Sequence, residues 1–141
     1  MGKTLKVGDK AFLSKAFTEE EVIQFAEIST DKNPLHLDEE FGQASVMGKC
    51  VVHGMLVASL FSGLIGMELP GHGSIYLGQT LMFKAPVAID EEVTASVEII
   101  DIRADKPVVT FRTVCTKSDD TVVIEGEAVV RVDIASGYNN W

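Results

Sequence analysis

The sequence predicts an α+β domain in which a curved antiparallel sheet wraps around one long buried helix. Three observations point there. Residues 51–67 contain no Asp, Glu, Lys or Arg, so a helix over that stretch has no charged face to turn to water. Later segments alternate apolar and polar side chains with the two-residue period of half-buried strands. The links between those segments are short, which favours antiparallel pairing. A sheet curled around the apolar helix satisfies all three.

The elements follow in order. A first strand is expected over 10–17. Thr18 and Glu21 then form a capping box, and Glu19, Glu20 and Glu21 suit the positive end of a helix dipole. The helix runs over 19–29, with Val22, Phe25, Ala26 and Ser29 on one face. Pro34 restricts Asn33 to extended backbone, so 30–36 is a shaped loop. A short helix is expected over 38–43. The apolar helix covers 54–69 and stops at Leu69-Pro70-Gly71. Gly54, Ala58, Ser62 and Gly66 recur every four positions along it, a stripe that lets a backbone or ligand come close. Strands follow over 74–83, 93–102, 108–117 and 122–132. Their inward sets are Val93, Ala95, Val97 and Ile99; then Val109, Phe111 and Cys115; then Val122, Ile124, Ala128, Val130 and Val132.

The totals narrow the function. A chain of 141 residues is the size of one domain, here taken as 1–141 with 134–141 as a tail. A formal net charge of -9 argues against nucleic acid or an anionic membrane as partner. Cys50 and Cys115 form no metal-ligand spacing and read as reduced thiols. Residues 51–67 barely reach the roughly 17–25 residues of a membrane span. His53, three glycines and the amphipathic strands beyond favour a buried helix instead. No secretory signal opens the chain, and the cytoplasm is the expected compartment.

The densest chemistry lies in Asp31-Lys32-Asn33-Pro34-Leu35-His36. A carboxylate and an imidazole in one stiffened loop can hold a water between them, one accepting its proton and the other orienting it. The same Asp31 and Asn33 also suit plain turn-capping roles. His53-Gly54 opens the apolar helix. The free N–H groups and partial positive charge there can hold a carbonyl oxygen as it gains charge, and Gly54 leaves room for its approach. Tight packing explains Gly54 equally well.

These motifs, with Val52-His53-Gly54-Met55-Leu56, Ser59-Leu60-Phe61-Ser62, Pro70-Gly71-His72-Gly73-Ser74 and Phe83-Lys84-Ala85-Pro86-Val87, resemble the MaoC-like R-specific enoyl-CoA hydratases. The resemblance runs from about Val7 to Asp133. It departs at Thr30, where the family usually has Gly, and at Gly42, where it often has Ala or Ser. It implies a hot-dog fold and hydration of a trans-2-enoyl-CoA. Asp31 and His36 would hold the attacking water. The Gly54 N–H would stabilise the enolate oxygen. Asn33 would brace the loop, and Ser62 would support His36 or line the acyl channel. Ile65 and Val130 would border the acyl chain, and Lys84 is a candidate for a substrate phosphate.

The resemblance also implies a homodimer with the site near its interface. No cofactor is needed. Asp31, His36 and His53 can in principle bind a metal, but hydration asks only for acid–base groups and an oxyanion site. The rival readings are a thioesterase, a non-catalytic acyl-CoA-binding protein and a dehydratase for carrier-protein substrates, all on the same scaffold.

Overall fold

The computed structural model describes residues 4–132; the expected tail at 134–141 lies outside them. In chain order the elements are β1 (Lys10–Ala16), α1 (Glu19–Ser29), α2 (Pro34–Leu37), α3 (Glu39–Ala44) and α4 (Gly54–Met67). Then come β2 (Ile75–Gln79), β3 (Met82–Phe83), β4 (Glu92–Ile102), β5 (Val108–Lys117) and β6 (Val122–Arg131). The α+β class therefore stands.

Local rules account for the helix starts. At α1 the Thr18 hydroxyl accepts from the Glu21 N–H at 3.2 Å, and Glu21 accepts from the Thr18 N–H at 3.0 Å. Pro34 at the first turn of α2 needs no N–H partner there, and the Asn33 side chain caps it. Residues 34–36, expected as loop, thus lie in one helical turn that runs to Leu37.

The strands make one antiparallel sheet in the order β1-β4-β5-β6-β2, with β3 also paired to β6. On β4, Val93, Ala95, Val97 and Ile99 all point into the core, as alternation requires. Val109, Phe111 and Cys115 do the same on β5, and burial pushes the Cys115 thiol up to about 11. Cys50 and Cys115 are both free.

The expected sheet wrapped around a long, fully buried helix is not what forms. Helix α4 has 14 residues, about 21 Å of helix. It buries Val57, Ala58, Leu60, Phe61, Leu64 and Ile65, while Met55, Ser59, Ser62, Gly63 and Met67 stay exposed. The sheet remains open, with β1 and β2 at opposite ends and unpaired with each other. The small-residue flank explains the difference. Ser and Gly offer little apolar area, so nothing draws a second layer over that side of the helix.

Two strand readings also shift. The segment 74–83 is two strands, because Thr80 leaves the ladder. Its N–H donates to the Glu127 carbonyl and its hydroxyl accepts from the Glu127 N–H, both at 2.9 Å. A Cβ on the opposing Gly126 would collide with the Thr80 carbonyl, so only glycine fits this crossing. On β6, Cys115 pairs with Ile124 but Thr116 pairs with Val122, which leaves Val123 as a bulge. Val123 and Ile124 are both buried as a result, and Val122 is only half-buried. The Val123 carbonyl accepts from the Lys84 N–H at 2.7 Å. Among the described residues, no helix is long and apolar enough to cross a membrane.

Candidate active site

The 29–36 segment is built from short-range hydrogen bonds. Helix α1 ends at Thr30, whose backbone is left-handed at φ 67. The Ser29 hydroxyl donates to the Phe25 carbonyl at 2.7 Å and accepts from the Asp31 N–H at 3.1 Å. Asp31 Oδ1 accepts from the Asn33 N–H at 3.2 Å, and Asn33 Oδ1 accepts from the Leu35 N–H at 3.0 Å. The capping and chemical readings of this loop are therefore compatible. Asp31 uses one oxygen to shape the turn and leaves Oδ2 facing His36, with Oδ2 to Nε2 at 3.9 Å.

That distance is too long for a direct hydrogen bond. An oxygen lying to one side of the pair fits at about 2.8 Å from each atom. Two longer-range contacts fix the geometry. His36 Nδ1 lies 2.7 Å from the Val51 carbonyl. A carbonyl only accepts, so Nδ1 carries the proton, and Nε2 of the neutral ring is a bare acceptor. His53 Nε2 donates to the Asp31 carbonyl at 3.0 Å, and its ring stacks on His36 at 3.9 Å between centroids.

The pair opens on a cavity of about 430 Å³ whose lining includes Asp31, His36, His53 and Gly54. Val52, Val57, Phe83, Val87, Val123 and Ile124 supply apolar walls. Lys84 also lines it and pairs with Glu125 at 3.2 Å. His53 makes no side-chain cap to α4, so the Gly54 N–H has no acceptor within its own helix. A Cβ at Gly54 would lie 2.7 Å from the Phe83 ring.

Residues 5–121 match the family model for the MaoC like domain. The chain belongs to the MaoC-like family. It is 52% identical to the (R)-specific enoyl-CoA hydratase of Aeromonas caviae over 130 residues, covering 92% of this chain and 97% of that protein. It is 45% identical to the (R)-specific enoyl-CoA hydratase of Rhodospirillum rubrum over 128 residues, covering 91% and 88%. The solved (R)-hydratase from A. caviae superimposes with a TM-score of 0.90 at 52% identity, covering 92% of this chain and 98% of that one. The MaoC-like chain thus has the hot-dog-like α+β fold of these proteins, with the open sheet and short helices described above.

Within this MaoC-like domain the residues singled out from sequence separate into two groups. Asp31, His36 and Gly54 border the cavity, and Asn33 braces the loop beside it. Ser62 is exposed on the outer flank of α4, and Ile65 and Val130 lie in the core. None of these last three lines the cavity. Sequence reasoning missed the Val51 carbonyl, a backbone group with no side-chain signature. It also missed the bond from His53 to Asp31.

Asp31, His36 and His53 each offer a ligand atom within 4.8 Å of the others. The two imidazoles stack with 3.9 Å between centroids and 28° between their planes, so their in-plane lone pairs lie in separate, offset planes. Such lone pairs do not converge on one ion at the roughly 2.0–2.1 Å of a zinc–nitrogen bond. The trio fits acid–base work better than metal binding.

Proposed function

We propose that this chain catalyses R-specific hydration of trans-2-enoyl-CoA to (R)-3-hydroxyacyl-CoA. The observation that carries the reading is the 3.9 Å separation of Asp31 Oδ2 and His36 Nε2 on an apolar cavity that also contains Gly54. A water held there donates one O–H to each group. The enoyl thioester lies with its carbonyl oxygen on the Gly54 N–H, which draws electron density from C3. The water oxygen bonds to C3 as Asp31 takes its proton, and the C2–C3 π electrons move toward the carbonyl to give an enolate. Asp31 then returns the proton to C2 on the same face, so one water is consumed and the carboxylate is restored. A donor of the Gly54 kind is worth about 3–4 kcal/mol at the transition state. His36 orients the water through the bare Nε2. Attack from the one face that carries Asp31 and His36 is what sets the product's handedness.

Ile65 and Val130 belong to the same apolar cluster as Val52, Val57, Val87 and Ile124 of the cavity wall. In this reading they limit how deep an acyl chain can reach. Ser62 lies on the exposed α4 flank away from the cavity, and Lys84 meets a substrate phosphate by exchanging its Glu125 partner. One domain spanning 1–141 is supported by the continuity of that cluster from Leu5 to Val132. A homodimer is supported by the exposed Ile75, Leu77, Met82 and Phe83 at the β2 end of the sheet. The cytoplasm remains the proposed compartment.

The test is turnover of crotonyl-CoA and longer trans-2-enoyl-CoAs, followed by loss of the conjugated-thioester absorbance and by the chirality of the product. Formation of the (R)-alcohol is the expected result. No turnover at any chain length, or an (S) product, would defeat the reading.

A further inference from the structure

We infer that His53 is a positioning residue that holds both members of the Asp31–His36 pair in place. The inference rests on the hydration reading above. His53 is only 2% exposed, and it sits 22 residues from the loop that it touches. Its Nε2–H donates to the Asp31 backbone carbonyl at 3.0 Å. Its ring lies face to face with His36 at 3.9 Å, and Phe25 meets it edge-on at 4.9 Å. Its Nδ1 is buried with no hydrogen-bond partner.

An unpartnered buried nitrogen is costly, and Phe or Leu would fill the same space without that cost. The imidazole is therefore better explained by what its other nitrogen and its face accomplish. The Nε2 bond fixes the carbonyl of the residue whose carboxylate faces the water site. The face acts on His36. A single bond from His36 Nδ1 to Val51 leaves that ring free to rock about the bond axis, and a flat neighbour against it removes this freedom. His53 also directly precedes Gly54 in the chain. One side chain thereby ties the carboxylate, the imidazole and the oxyanion N–H to a common reference. Misplacing reacting groups by about 1 Å can cost on the order of 100-fold in rate.

The test compares kcat and KM for crotonyl-CoA in wild type, His53→Phe and His53→Gln. Phe keeps a stacking ring and loses the donor; Gln keeps an amide N–H donor and loses the ring. The expected result is a kcat at least about tenfold lower in His53→Phe, with KM within about threefold, and a kcat for His53→Gln between Phe and wild type. A kcat for His53→Phe within twofold of wild type would overturn the inference, as would a Gln variant no better than Phe. Should His53→Phe fail to melt cooperatively, nitrogen NMR of the wild-type imidazoles decides instead. A proton on His53 Nε2 and none on Nδ1 supports the inference, and the opposite tautomer overturns it. Wild type that turns over enoyl-CoA beside unaffected variants defeats this inference alone, whereas inactive wild type defeats the hydration reading as well.

Discussion

Gly42 packs so closely on Cys50 that a Cβ at position 42 would lie 2.6 Å from the Cys50 backbone nitrogen. The neighbours are backbone atoms of Lys49 and Cys50, which cannot rotate aside. Cys50 precedes Val51, whose carbonyl holds His36 Nδ1. Gly42→Ala should therefore destabilise the fold by about 1–3 kcal/mol. It should also lower kcat several-fold by moving the Val51 carbonyl. Chemical denaturation and steady-state kinetics on the same preparation check both outcomes.

Thr30→Gly should act in the opposite direction on stability. Thr30 holds a left-handed backbone at φ 67, a conformation that costs a β-branched residue about 1–2 kcal/mol. Glycine removes that cost but loses about 0.5–1 kcal/mol to the freedom of its unfolded chain. The net gain should be of order 0.5 kcal/mol, seen as a higher denaturation midpoint with an unchanged slope.

Asp31→Asn keeps an oxygen able to accept from the Asn33 N–H, so the loop should survive. It removes the proton acceptor. The expected outcome is a kcat lower by about 10²–10⁴-fold with a similar melting temperature. Activity close to wild type in this variant would show that the carboxylate is not the base.

Gly54→Ala places a methyl group against the Phe83 ring, a side chain that is 51% exposed and able to turn away. The protein should fold with little loss of stability. The displaced ring narrows the cavity, so KM for enoyl-CoA should rise several-fold.

Glu91 supplies a pH test of stability. The Ala88 N–H, then Lys117, hold its carboxyl below the ordinary value of 4.5. A carboxyl lowered by folding stabilises the protein above its unfolded value and loses that contribution as pH falls through the folded one. Glu91→Gln should thus cost about 1 kcal/mol at neutral pH, allowing for solvent screening. The gap between the two melting curves should close on acidification into and below the carboxylate range.

Much of this was legible in the residues because it is local. Thr18 and Glu21 carry a cap in their spacing, and the alternation of β4 and β5 needs only neighbours along the strand. The Asp31–His36 pair was legible for the same reason. Features set by the opposite strand were not. Thr80 leaves its ladder because of Glu127 and Gly126, and the Val123 bulge depends on where β5 runs out of register. The burial of α4 was misread because an uncharged helix looks the same from sequence whether one face or all faces are covered. The His53 bond to Asp31 crosses 22 residues and has no period to betray it.

The 29–36 segment can rehearse its own shape, since its turn bonds join residues two to four apart. What it lacks alone is alignment, which arrives only when Val51 and His53 dock from farther along the chain. Activity should therefore be the first property lost on warming. Turnover should fade while circular dichroism still reports an intact sheet, as the docked 51–53 strip loosens ahead of the β-ladder.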